Sequence, residues 1–168
     1  MLGAIVGATA GGTVEAVLEG RREAARAKAG ARLVAGDLAM ADSRLKSIEG
    51  DRKWWVFMEL KIRAWEEYRD VLAVRLSNEE FEAVSQAVVG LTELGDKMPS
   101  DLLAKHGGRF IKLQESAVEA FGPIRREAAD AYNALSELGG HPRVEGTIHG
   151  DADSSETSGG GEISGQPA

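Results

Sequence analysis

The stretch "VLEGRREAARAKAGARLVAGDLAMADSRLKSI", Val17 to Ile48, decides the fold. Val17, Gly20, Ala24, Ala27, Ala31, Val34, Leu38, Ala41, Leu45 and Ile48 follow one another in alternating steps of three and four. That spacing keeps them on one face of a single helix. Arg21, Arg22, Glu23, Arg26, Lys28, Arg32, Asp37 and Arg44 fall between them. The first half of the stripe is small and permits close backbone approach; the second half is large. The pattern predicts a first helix from about Thr13 to Ile48, ended by Glu49–Asp51. Gly30 and Gly36 should each weaken it by about 1 kcal/mol relative to alanine.

Downstream, further helices are expected. "KWWVF", Lys53 to Phe57, reads as a connection whose rings cap the core. A second helix is expected from about Glu59 to Leu76, with Ile62, Trp65, Tyr68, Leu72 and Leu76 facing inward. Ser77 and Glu80 form a capping box, in which the hydroxyl and the carboxylate each accept from the other's backbone N–H. Phe81, Val84, Val88, Leu91 and Leu94 then make the apolar face of a third helix. A fourth helix is expected from Arg109 to Leu138, kinked at Pro123, where an interior proline removes a backbone hydrogen bond. It stops at Gly139–Gly140. No strand pattern of useful length is visible. The fold class expected is all-α: a helical bundle with a long N-terminal helix, antiparallel helices and a disordered C-terminal tail.

That tail, residues 141–168, is rich in Gly and Ser and almost free of large apolar side chains. It cannot bury enough to offset its ordering entropy. It also holds much of the acidity. Over residues 139–168, Glu145, Asp151, Asp153, Glu156 and Glu162 face only Arg143, a net −4 of the chain's −7. The remaining −3 is ordinary for a protein surface and argues against general nucleic-acid binding. Cysteine is absent, which excludes disulfides, thiolate catalysis and cysteine-ligated zinc.

The N-terminus raises a membrane question. Met1 to Val14 carries no charged side chain. As a helix it rises about 21 Å, against about 30 Å of bilayer core. Residues 1–18 are therefore a marginal spanner or a packing helix. Gly3, Gly7 and Gly11 recur every fourth residue, the spacing on which membrane helices pack closely. Arg21, Arg22, Arg26 and Lys28 follow, with no basic residue before them. The positive-inside rule then places the body in the cytoplasm, with those four cations against anionic lipid headgroups. The alternative is a cytoplasmic helical protein whose first helix self-associates as a coiled coil.

No enzyme motif is present. "GATAGG", Gly7 to Gly12, lacks the preceding strand that a dinucleotide loop needs. His106, His141 and His149 have no ligand partner at helical spacing. No cofactor or metal is expected. Trp54 and Trp55 read chiefly as core caps, with contact to a protein partner as the other reading.

From its small-residue start through "EGRREAARAKAGARLVAGDLAMADSRL" and the Trp54–Trp55 pair to "AWEEYRDVLAVRLSNEEFEAV", the chain resembles a group of small, mostly uncharacterised proteins of high-GC actinobacteria. The resemblance covers about residues 1–89, and rests on Trp54, Trp55, Trp65, Glu66 and "LSNEEFEAV". It implies one N-terminal membrane span, an Arg-rich juxtamembrane helix and a helical cytoplasmic body. It implies no active site. The first apolar segment here is shorter than in that group, so a start upstream of Met1 would lengthen the span. Together these readings point to a non-enzymatic, membrane-tethered helical interaction module.

Overall fold

A computed structural model describes residues 4–55, 58–97 and 109–143, with side chains described from Val14 onward. The expected tail from Val144, together with His106, His149 and Gly3, lies outside the described residues. The chain forms an all-α antiparallel bundle around a long first helix. Helix α1 spans Ala4–Asp51, a rise of about 72 Å. It starts earlier and ends later than expected. Glu49 and Asp51 do not stop it, because Ile48 is fully buried and Glu49 accepts a hydrogen bond from Arg125. The helix ends where Arg52 takes a left-handed conformation at φ 51°.

The connection after α1 adds one small sheet to the all-α fold. Lys53–Trp55 form strand β1, which pairs antiparallel with β2, Phe110–Lys112. Trp54 lies opposite Ile111 and Trp55 opposite Phe110. The strands are too short for periodicity to reveal them, and their pairing is non-local. Trp54 does cap the core, as expected: it is buried, its ring 6.4 Å from Phe121.

The second helix, α2, is shorter than expected, Arg63–Ala73. Leu60 and Ile62 reach the core from the extended segment before it. Helix α3 spans Asn78–Lys97. Its capping box forms as read: the Glu80 N–H donates to Ser77 Oγ at 3.2 Å, and the Ser77 N–H donates to Glu80 Oε2 at 2.8 Å. The expected fourth helix is instead three elements. After β2 come a short helix α4, Glu115–Glu119, and then α5, Phe121–Gly139. Phe110 is 44% exposed on β2. The chain breaks at Ala120, three residues before Pro123. Pro123 occupies the first turn of α5, where a missing N–H costs no intrahelical bond. Gly140 ends α5 at φ 70°, and the His141 N–H returns to the Ser136 carbonyl at 2.9 Å.

Helix α1 packs on α2 and on α5, and α3 packs chiefly on α5. The core is the large half of the predicted stripe. Val34, Leu38, Leu45 and Ile48 of α1 meet Leu72, Val84, Leu91, Phe121 and Leu135.

Candidate interaction surface

Helix α1 holds its neighbours by their ends. The first residue preceding α2, Ile62, offers no side-chain cap. Asp37 of α1 supplies one instead, accepting the Ala64 N–H at 3.1 Å. A carboxylate at a helix N-terminus also meets the positive end of its dipole. At the other side Arg32 Nε donates to the Gly139 carbonyl, 2.8 Å away, at the C-terminus of α5. Deeper in, Arg125 of α5 is buried between two α1 carboxylates. Its Nε donates to Asp42 at 2.8 Å and a second nitrogen donates to Glu49. Burial raises the Asp42 carboxyl, but hydrogen bonds from Arg125 and Lys46 outweigh it and hold Asp42 below its ordinary range.

These contacts anchor only part of α1. Burial begins at Ala27, and every residue from Val14 to Arg26 is exposed. Residues 14–26 therefore project as an overhang about 20 Å long. Val17, Gly20 and Ala24 belong to the same predicted stripe but are exposed: α5 ends beside Arg32, and the end of α2 faces residues 19–26 only across an open cleft. The overhang still carries large apolar side chains: Val14, Val17 and Leu18 are each about half exposed or more.

A second feature extends this surface. The side of α1 turned away from the core is also uncharged over much of its length. Ala25, Ala29, Leu33, Gly36 and Met40 recur there in steps of three and four, all exposed. Leu33 and Met40 are 51% and 55% exposed. Leu18 continues the line onto the overhang. Helix α1 thus has two apolar faces, one filled by the bundle and one open.

Between the overhang and the end of α2 lies a cleft of about 370 Å³. Arg22, Arg26 and Arg75 alternate there with Glu19, Glu23 and Asp70. The Arg22 guanidinium pairs with Glu19 at 3.6 Å. The mixture leaves no single sign of charge to select a ligand.

The other sequence-derived candidates fall as follows. Arg21, Arg22, Arg26 and Lys28 are all exposed on α1, and Lys28 reaches toward Gly140 at the end of α5. Gly7 and Gly11 lie within the α1 backbone, but their surroundings are outside the described side chains. Trp54 is buried, while Trp55 is half-buried with its ring 5.4 Å from Phe110. The two tryptophans therefore do not form one surface. Among the described residues no group of His, Asp or Glu could hold a metal ion. Among the described residues, too, no helix is long and apolar enough to cross a membrane.

Sequence reasoning missed the open face of α1. The signal is present, since alanine and glycine occupy both sides of the helix and no spacing says which side is covered. Nor does helical spacing reveal that Arg32 meets the end of α5 and Asp37 the start of α2. No family model matches the chain, and no curated protein and no solved structure matches it.

Proposed function

We propose that this chain is a non-enzymatic helical interaction module, in which the bundle is a rigid base and α1 is the contact element. One observation carries the reading. Residues 14–26 form a helical projection with Val14, Val17 and Leu18 exposed, continuous with an open apolar face on the bundle. A lone helix of this length is marginal in water. Its apolar residues are suited to a second protein surface. Self-association through the N-terminal helix and binding of another protein both use this face.

Photo-crosslinking in cells tests the reading. A photoreactive residue at Leu18 or Ala25 of the full chain is expected to give discrete adducts, and one at exposed Arg126 of α5 none. Absence of adducts from both α1 positions would overturn it.

A second reading keeps the same base and adds a membrane tether. It is favoured by the exposure of Arg21, Arg22, Arg26 and Lys28 directly after an uncharged run, Met1 to Val14. The actinobacterial resemblance implies the same arrangement. Residues 1–18 would enter the bilayer, helped by a second helix packed on Gly3, Gly7 and Gly11, and the four cations would meet anionic headgroups. Carbonate-resistant pelleting of the full chain supports the tether. A carbonate-extractable product, unchanged by deletion of residues 1–12, would sink it.

A further inference from the structure

We propose that the partner of the open α1 face is the same face of a second copy, paired antiparallel about a two-fold axis near Ala29. The inference rests on the reading of α1 as a contact element and names its occupant. Three observations converge on it.

The first is shape. Placing Ala29 against its symmetry mate brings Leu33 beside the partner's Ala25 and Met40 beside the partner's Leu18. Large side chains thereby meet small ones along the line. Gly36, with nothing within 4 Å of the position a Cβ would take, leaves room for the aliphatic stem of an arginine at position 22 of the second copy.

The second is charge. Along the edge of this face nearest α2 stand Glu15, Glu19, Arg22, Arg26, Asp37 and Arg44, with the acids and cations grouped so that each half of the edge carries both signs. In an antiparallel two-fold pair, like edges meet. Glu15 then lies opposite the partner's Arg44, and Arg22 opposite the partner's Asp37. Symmetry repeats both, giving four complementary pairs. Asp37 has one oxygen committed to Ala64 and Arg44 one nitrogen to Glu59, which leaves donors and acceptors for the second copy. Parallel pairing would instead set this edge against the opposite one, where Arg21, Lys28 and Arg32 stand, and would face cations with cations. In the antiparallel pair Lys28 and Arg32 turn aside toward Gly140 and Gly139 at the end of α5.

The third is extent. From Val14 to Ser47 the face is about 50 Å long and about 10 Å wide. Two copies would cover roughly 1,000 Å², the lower end for a specific complex. Because the open face lies opposite the core, the partner helix passes alongside the bundle without meeting the ends of α2 and α5.

The chain has no cysteine, so single cysteines report the register directly. Under mild oxidation, full-length Ala29→Cys is expected to form a disulfide-linked dimer. Leu18→Cys alone is expected to form no disulfide-linked dimer, but to cross-link when mixed with Met40→Cys. By sedimentation, the native chain at about 100 µM is expected to be largely dimeric. Leu33→Glu is expected to make it monomeric with unchanged helical circular dichroism, since Leu33 is exposed. A native chain that is monomeric at that concentration, or self-linking of Leu18→Cys, overturns the proposal. Monomers that still give adducts to another protein from Leu18 in cells would leave the contact-element reading standing; absence of both dimer and adducts removes both.

Discussion

Residues 14–26 and 27–48 of α1 obey the same spacing of three and four, yet one half is packed and the other open. The difference is not in the helix itself. It lies in what stands opposite. Beside Val34, Leu38, Leu45 and Ile48 run α2 and α5, whereas Val17, Gly20 and Ala24 lie beyond the end of α5. Periodicity in a sequence marks a face, and only tertiary structure says whether that face has a partner within the chain.

The contrast can be broken most strongly by truncation. Leu45→Ala removes a fully buried side chain and is expected to cost about 3 kcal/mol. Val17→Ala, at an equivalent stripe position, should change stability by less than about 0.5 kcal/mol. Chemical denaturation of both variants checks this. Equal losses would mean that the overhang is packed against the bundle.

Two glycines sharpen the same comparison. A Cβ on Gly30 would lie 2.6 Å from the Tyr68 ring, whereas one on Gly36 meets nothing within 4 Å. Gly30→Ala is therefore expected to destabilise by about 2 kcal/mol through overpacking. Gly36→Ala should stabilise the folded monomer by up to about 1 kcal/mol, the helix-propensity difference. Thermal melts read out the opposite signs. The uniform cost assigned to both glycines from sequence is thus corrected: Gly30 packs directly against Tyr68 of α2.

The smallest effect is electrostatic. The Asp42 carboxyl is held below its ordinary value in the folded chain. Its contribution to stability is present above the unfolded value of 3.8 and is lost as pH falls through the lower folded value. A denaturation series from pH 5 downward should show this loss, and Arg125→Met should remove the part that depends on the Arg125 hydrogen bond. An unchanged acid limb in that variant would place the dependence elsewhere.

Much of the bundle was legible because its signals are local. Val34 to Ile48 needed only helical spacing, the Ser77–Glu80 box only three residues, and Gly140 only its conformational freedom. What escaped depends on distant parts of the chain. Trp54 pairs with Ile111 across a sequence gap that no window spans. Pro123 was legible as a helix perturbation, but whether it sits inside a helix or at its first turn depended on the break at Ala120. Asp37, Arg32 and Arg125 look like surface charges until α2 and α5 are in place beside them. The candidate surface was half legible: the cations of the overhang stand out in the sequence, while the open face from Ala25 to Met40 is built of alanine, glycine, leucine and methionine that interleave with the buried stripe.

The bond from Arg32 to Gly139 joins positions 107 residues apart. At about 5–20 residues per second of synthesis, roughly 5–20 s separate their appearance at the ribosome. During that interval α1 exists with its open face and the α5 side of its buried face both uncovered. The nascent chain therefore passes through a stage when its longest helix is at its stickiest. A chain stopped short of Phe121 would remain there, a natural substrate for chaperones and quality-control proteases.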